Sequence, residues 1–196
     1  MSSRDEILAR VQRLQRVDAL PDPFTKGIEF DDPCAQFAQV LTTVGGRCEP
    51  VRSLADIGRS LNPLLEDLAA CTVCSLVDCT EMANFSLDEL TDPHDVQDID
   101  FALVPGHLGV AENAAVWVTA ETPVQRALYF LTQHLGLVLP RQNVVSNLHQ
   151  AYERLAVQAT AFGCWISGPS KTADIEQSLV LGAHGPRTLT VFLLDE

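Results

Sequence analysis

The C-terminal segment of the chain constrains the fold more strongly than any other part. An apolar run at residues 162–166 ends in a turn of small residues at 167–170, and a second apolar run at 189–194 follows a glycine-rich turn at 182–186. A helix is predicted to begin at about Thr172. The pattern therefore predicts a β–α–β unit whose first turn directs backbone N–H groups towards one point. We expect this turn to line a crevice at the carboxyl end of the sheet, where open α/β proteins bind ligands.

The rest of the chain alternates between helical patterns and short apolar runs. This alternation predicts parallel α/β structure, and 196 residues provide ample material for one core. Beyond the C-terminal unit, the predicted helices cover residues 34–44, 53–70, 123–131 and 144–160, and the predicted strands cover residues 49–52, 99–104, 110–119 and 135–139. The runs at 99–104 and 110–119 are expected to form adjacent strands.

The N-terminal region is expected to form a separate element. Ser3 is a candidate N-cap, and Glu6 follows it at capping-box spacing. Three prolines and no clear hydrophobic period follow, which predicts an extended linker. We therefore expect an amphipathic helix at residues 1–20, a linker at 21–33 and an α/β domain at 34–196.

The charge of the chain limits its partners. A net charge of −13 argues against nucleic acid and against an anionic membrane surface, because both require a basic face. The segment Asp78–Asp100 carries eight acidic residues and no Lys or Arg, as a solvated acidic loop or a docking surface for a basic partner would. No apolar run is long enough to predict a membrane span, and the charged N-terminus does not resemble a signal peptide. We expect a cytoplasmic protein.

The six cysteines are expected to be reduced thiols. Cys71, Cys74 and Cys79 follow a C-x-x-C-x-x-x-x-C spacing that could indicate a metal or iron–sulfur site. However, no fourth cysteine lies nearby, and the flanking residues are apolar, as they are around buried thiols. We therefore predict no metal at these cysteines and no cofactor of the protein's own.

Two adjacent segments carry a family resemblance. S-G-P-S-K-T-A-D-I-E followed by L-V-L-G-A-H-G-P-R resembles the C-terminal signature of LUD-domain proteins of the lactate utilization protein C type. The segments E-I-L-A-R, V-A-E-N-A-A-V-W-V, Q-R-A-L and T-Q-H also occur in family order, whereas Cys71–Pro93 matches poorly. The resemblance implies an α/β fold of the NagB/RpiA/CoA-transferase type, a three-layer sandwich with a mainly parallel sheet.

The signature contains most of the candidate anion-binding residues. Its hydroxyl groups either cap the predicted helix or bind a phosphate or carboxylate. Asp174 and Glu176 lie near the helix N-terminus but do not share a face, so at most one would point into a site. The turns at the two ends of a helix lie on opposite rims of a sheet, so Ser170 and His184 need not converge. The candidates are Ser167, Gly168, Ser170, Thr172, Asp174 and His184.

Glu112 is the best single candidate for a catalytic carboxylate. It lies within an apolar strand run, where an unpaired buried charge would cost several kcal/mol, so it must reach solvent, a partner or a substrate. It matches a glutamate of the resembled family, although the usual Thr-Gly that follows is Asn113-Ala114 here. Arg126 and His134 could complete a site for a small organic acid, or they could be a solvated helix residue and a strand cap.

The resemblance implies a function in lactate metabolism. It suggests an accessory, non-redox component of a system that oxidises L-lactate to pyruvate with iron–sulfur partner proteins, and a small anionic metabolite as ligand. The alternative is a stand-alone enzyme of the same fold, such as a CoA transferase or sugar-phosphate isomerase. In that case Glu112 would be nucleophile or base, as A-E-N-A weakly resembles the S-E-N-G segment of CoA transferases. A third hypothesis is a binding module that has lost its site, which the Asn113-Ala114 departure would fit.

Overall fold

The computed structural model describes residues 2–14, 27–66, 71–78, 83–88, 90–155, 162–172, 180–182 and 184–195. Side-chain caps start several of its helices: Asp32, Thr122 and Asn147 accept backbone N–H groups from the first turns that follow them. The α-helices in these ranges are α1 (Ser3–Leu14), α2 (Pro33–Thr43), α3 (Leu54–Glu66), α4 (Pro123–Leu131) and α5 (Leu148–Arg154).

A five-stranded sheet forms the centre of the fold, and each of its strand pairs is parallel. Its three inner strands, β11, β6 and β3, are buried on both faces, as is usual for parallel sheets that are covered by helices. In spatial order they are β1 (Arg47–Val51), β11 (Thr188–Leu194), β6 (His134–Pro140), β3 (Phe101–Pro105) and β2 (Val73–Ser75).

A four-stranded sheet packs beside the central one, and its pairings are mostly antiparallel. In order it contains β7 (Val144–Val145), β4 (Leu108–Val110), β5 (Ala115–Thr119) and β8 (Gly163–Ile166). A short antiparallel hairpin of β9 (Lys171–Thr172) and β10 (Val180–Leu181) follows β8 in the chain.

The side chains of the central strands alternate between two hydrophobic clusters. In β6, Leu135, Leu137 and Leu139 pack with α2, α4 and the second sheet. Val138 faces the other way and packs with Ile57 and Leu61 of α3. The structure thus has three layers, with α3 on one side of the parallel sheet, which confirms the predicted α/β sandwich.

The C-terminal segment differs from the predicted β–α–β unit. Lys171 and Thr172 belong to a strand where the prediction begins a helix, and residues 173–179 of that helix lie outside the described residues. The two flanking strands, β8 and β11, lie in different sheets. Gly168 and Gly182, both with positive φ (71° and 74°), allow the chain to reverse direction at the two ends of the hairpin.

Two further predictions were wrong in detail. The predicted strand at 110–119 is broken by a turn that contains Ala114 at a φ of 52°. The run at 99–104 was expected to lie beside it, but it forms β3 of the five-stranded sheet, whereas β4 and β5 belong to the four-stranded sheet. The predicted helix at 144–160 begins only at Leu148, because the β-branched pair Val144–Val145 forms a strand and Asn147 caps the helix. Residues 156–160 lie outside the described residues.

The N-terminal helix is present, but its cap differs by one residue. Ser2, rather than Ser3, exchanges hydrogen bonds with Asp5, whose carboxylate accepts the Ser2 N–H at 3.0 Å. Most of the predicted linker lies outside the described residues, so the division into helix, linker and domain stays a prediction. No helix in the described ranges is long and apolar enough to cross a membrane.

Candidate ligand-binding cleft

The signature residues line a cleft of about 310 Å³ at the amino ends of two central strands. Leu135 and Leu189, the second residues of β6 and β11, lie in its floor. The position therefore differs from the predicted crevice at the carboxyl end of the sheet. The lining consists of residues 165–171, residues 184–186, Tyr129, Phe130, Leu135 and Leu189.

Two backbone hydrogen bonds bring the two halves of the signature together. The N–H of Ser170 donates to the carbonyl of Pro186 at 2.9 Å, and the N–H of Gly182 donates to the carbonyl of Ser170 at 3.0 Å. Ser170 and His184 consequently line the same cleft, although a helix between them would have placed them on opposite rims.

The polar groups of the cleft fall into two classes. The Ser167 hydroxyl donates to the carbonyl of Asn113 at 2.6 Å, and the Tyr129 hydroxyl donates to the carbonyl of Thr119 at 2.7 Å. Burial also raises the pKa of Tyr129 to about 12. By contrast, no hydrogen bond or ion pair within the described part of the chain engages the side chains of Ser170, Lys171 or His184. These three side chains are therefore the candidates for contact with a ligand.

Lys171 is the cleft residue that the sequence analysis missed. It belongs to the signature, but an exposed lysine in a turn is usually only a solvated residue, so its charge gave no specific signal. Its ammonium lies beside the turn that ends α2, since a Cβ built on Gly45 would be 3.6 Å from the Lys171 Nζ. The residue thus joins the end of α2 to the cleft.

Gly168 supports the cleft through its backbone. It is buried at a φ of +71°, and a Cβ placed on it would lie 2.8 Å from the carbonyl oxygen of Val44 at the end of α2. A side chain here would strain the backbone and displace the loop. Gly168 therefore fixes the position of the cleft wall.

Two predicted site residues of the signature are not among the described residues that line the cleft. Thr172 forms part of the hairpin, where its backbone pairs with Val180. Asp174 lies outside the described residues. The contribution of either residue to ligand binding is therefore still a prediction.

Glu112 has a partner within the protein. It lies in the turn between β4 and β5, not inside a strand, and its Oε1 accepts the N–H of Leu148 at 2.8 Å. Its own N–H donates to the carbonyl of Ser146 at 3.1 Å. The carboxylate that sequence reasoning left without a partner thus stabilises the first turn of α5.

Arg126 and His134 also have separate neighbours. The guanidinium of Arg126 lies 5.3 Å from the centre of the Phe162 ring, and Nδ1 of His134 is 2.8 Å from the Thr188 hydroxyl oxygen. Burial lowers the pKa of His134, and the charge of Arg187 lowers it further. Within the described residues, none of these contacts joins Arg126 or His134 to Glu112, so they do not support the predicted three-residue cluster.

The cysteine motif is described only in part. Cys74 is buried, and burial raises its pKa to about 11; burial also raises the pKa of the half-buried Cys71. A metal ligand must be a thiolate, which both environments disfavour. Cys79 lies outside the described residues, and the described ranges contain no group of three His, Cys, Asp or Glu side chains placed to hold a metal. The absence of a metal at the motif stays a prediction.

The fold is similar to that of a solved structure. A DUF162 family protein from Deinococcus radiodurans, whose crystal structure was determined at 1.70 Å resolution, superposes with a TM-score of 0.59 over 86% of this chain and 99% of its own. The two sequences are 13% identical, so the likeness establishes the fold alone. The protein is thus an α/β protein of this architecture with a cleft between two loops.

Residues 92–194 match the family model of the LUD domain, and the chain belongs to the LUD domain family. It is similar to proteins named lactate utilization protein C, with 31% identity to that of Bacillus pumilus over 49% of this chain and 42% of the relative. The protein of that name from Geobacillus thermodenitrificans is 34% identical over 39% of this chain and 35% of its own length. The matched regions thus span less than half of these relatives.

Proposed function

We propose that the protein is an accessory component, without redox chemistry of its own, of a lactate utilization system that works with iron–sulfur partner proteins. In this proposal the cleft between residues 167–171 and 184–186 binds a small anionic metabolite of that system. The protein acts in the cytoplasm.

One observation carries the proposal: both halves of the family signature form the walls of a single cleft. The family model spans this entire region, and the similar proteins that we compared are named for lactate utilization. Lys171, His184 and the Ser170 hydroxyl have no partner in the described structure, and a convergence of such groups is typical of a binding site.

The geometry does not favour the alternative of a stand-alone enzyme that uses Glu112. A nucleophile or general base needs access to its substrate, whereas the Glu112 carboxylate accepts a helix N–H and is not among the residues that line the cleft.

Deletion and restoration of the gene test the role in lactate utilization. We expect the deletion strain to lose growth on L-lactate as sole carbon source while it grows normally on glucose. The parent gene and the Glu112→Gln variant should both restore growth on lactate, because glutamine keeps an oxygen that can accept the Leu148 N–H. Normal growth of the deletion strain on lactate would contradict the proposal, and a Glu112→Gln protein that folds but fails to restore growth would favour the enzyme.

Affinity purification from lactate-grown cells tests the partners. The tagged protein should retain other chains together with iron and acid-labile sulfide, and the amount of iron should fall when those chains are washed away. If the iron stays with the protein itself after its partners are removed, the non-redox assignment is wrong.

A further inference from the structure

The charge and size of the ligand follow from the groups that the cleft leaves available. This inference rests on the proposed function only in that it takes the same cleft as the binding site.

The backbone of the cleft is poorly suited to phosphate. Phosphate sites usually gather several backbone N–H groups at a glycine-rich loop or a helix N-terminus. Here the N–H of Ser170, which lines the cleft, already donates to the carbonyl of Pro186. In addition, Lys171 and Thr172 form a strand rather than the first turn of a helix. Neither the Ser170 N–H nor a helical first turn at Thr172 is therefore open to an anion in this cleft.

Lys171 supplies the positive charge. Among the lining residues that the structure describes, it alone has a side chain with a permanent positive charge. It forms no ion pair with a described residue, in a protein whose net charge is −13. One ammonium group matches one carboxylate, whereas a phosphate ester with two charges is usually bound by several cationic groups or N–H donors.

The floor of the cleft is apolar. Tyr129, Leu135 and Leu189 are buried, and the Tyr129 hydroxyl already donates to the Thr119 carbonyl, so the tyrosine offers a ligand only its ring. Sugar hydroxyls placed against this floor would lose hydrogen bonds to water without replacement, which is unfavourable. A short hydrocarbon chain would not incur this loss.

The size of the cleft also limits the ligand. Its volume of about 310 Å³ is at the lower end of the range for small-molecule sites, roughly 300–1,000 Å³. The nucleotide portion of an acyl-CoA would extend far beyond these walls. From the single cation, the apolar floor and the small volume, we infer that the cleft takes a short-chain monocarboxylate, with Lys171 paired to its carboxylate, in preference to phosphate esters and CoA thioesters.

Calorimetric titration of the purified full-length protein tests this inference. The probes are L-lactate, pyruvate, butyrate, inorganic phosphate, ribose 5-phosphate and acetyl-CoA. We expect at least one monocarboxylate to bind more tightly than every phosphate-containing probe. Lys171→Met, which keeps the chain length but removes the charge, should weaken that binding at least tenfold, and Lys171→Arg should retain more of it.

Arg52→Met is the matched control, because Arg52 is an exposed cation that follows the carboxyl end of β1, the opposite end of the sheet. The Arg52→Met variant should bind each monocarboxylate with the same affinity as the parent protein. A thermal melt of each variant identifies loss of folding, and it separates ligand binding from a purely structural role of Lys171 at the end of α2. A Lys171→Met protein that melts earlier but binds every acid with parental affinity would show only the structural role and would overturn the inference.

Two other results would overturn the inference: binding of ribose 5-phosphate or acetyl-CoA more tightly than any monocarboxylate, and no binding of any monocarboxylate by the parent. The growth experiment separates this failure from failure of the proposed function. If lactate growth needs the gene but no monocarboxylate binds, only the ligand assignment fails. If a monocarboxylate binds through Lys171 but the deletion strain grows normally on lactate, only the proposed function fails.

Discussion

The N–H of Ser170 donates to the carbonyl of Pro186 at 2.9 Å, across a hairpin that separates the two residues in sequence. This bond holds the small-residue loop beside the glycine-rich loop, so that the two halves of the family signature face one cleft. Substitutions of residues that support the two loops, and of residues that do not contact them, test how the cleft is built.

Glu112→Ala and Glu112→Gln distinguish a helix-stabilising role from a catalytic one. Alanine removes the acceptor for the Leu148 N–H, so we expect the free energy of unfolding to fall by about 1 kcal/mol, whereas glutamine should retain most of it. Denaturant unfolding of both variants provides the measurement. Equal stability of Glu112→Ala and the parent would show that this hydrogen bond contributes nothing.

Gly168→Ala should destabilise the protein. The residue has a φ of +71°, and the added Cβ would approach the Val44 carbonyl oxygen at 2.8 Å, so we expect a loss of about 1–3 kcal/mol. Gly58→Ala is the control, because Gly58 lies within α3 and has no atom within 4 Å of a built Cβ. That change should instead stabilise the protein by about 0.5–1 kcal/mol. Thermal unfolding should move in opposite directions for the two variants.

The close packing around Gly168 limits which substitutions can test ligand binding in the cleft. The buried position of Gly168 means that a bulky acidic residue there would be expected to disrupt the loop rather than only repel an anion. Lys171, which is exposed, is the better position for a change of charge.

Alkaline conditions should destabilise the protein through Cys74. Burial raises the pKa of this thiol from 9.0 to about 11. Below pH 9 the thiol is protonated in both the folded and the unfolded state. Between pH 9 and about pH 11 only the unfolded state releases the proton, so the free energy of unfolding falls as the pH rises.

The size of this effect is on the order of 1–3 kcal/mol over that interval. Cys74→Val keeps a buried apolar side chain in β2. It should remove the part of the decline in the free energy of unfolding that the Cys74 thiol causes. Unfolding in denaturant at about pH 8 and about pH 11 gives the comparison. A Cys74→Val protein with the same decline as the parent would show that other groups cause it.

Much of the fold could be predicted because local signals and tertiary contacts agree. The strand at 135–139 and the helix at 123–131 appear where they were predicted, and the structure shows that Thr122 caps the helix. The break at 111–114 gave no such signal, because Ala114 is an unusual residue for a positive φ. Thr172, where a helix was predicted to begin, pairs instead with Val180 in a strand, because that pairing depends on a residue outside the local pattern.

The candidate site could be predicted only in part. Ser167, Gly168, Ser170 and His184 all line the cleft, as expected of neighbouring site residues. Their convergence depends on the backbone hydrogen bonds between the two loops, such as that from the Ser170 N–H to the Pro186 carbonyl, which no local pattern reveals. The partner of Glu112 could not be predicted for a similar reason, since it is the N–H of Leu148, which is distant in sequence.

Backbone NMR during titration with L-lactate and pyruvate tests the central claim most directly, because it locates the bound anion on the protein. We predict saturable shifts at the amides of residues 167–171 and 184–186, with little change at Glu112 or Leu148, and loss of the shifts in Lys171→Met. Saturable shifts centred on the Glu112 turn or on the carboxyl ends of the strands, with the signature loops unchanged, would contradict the claim.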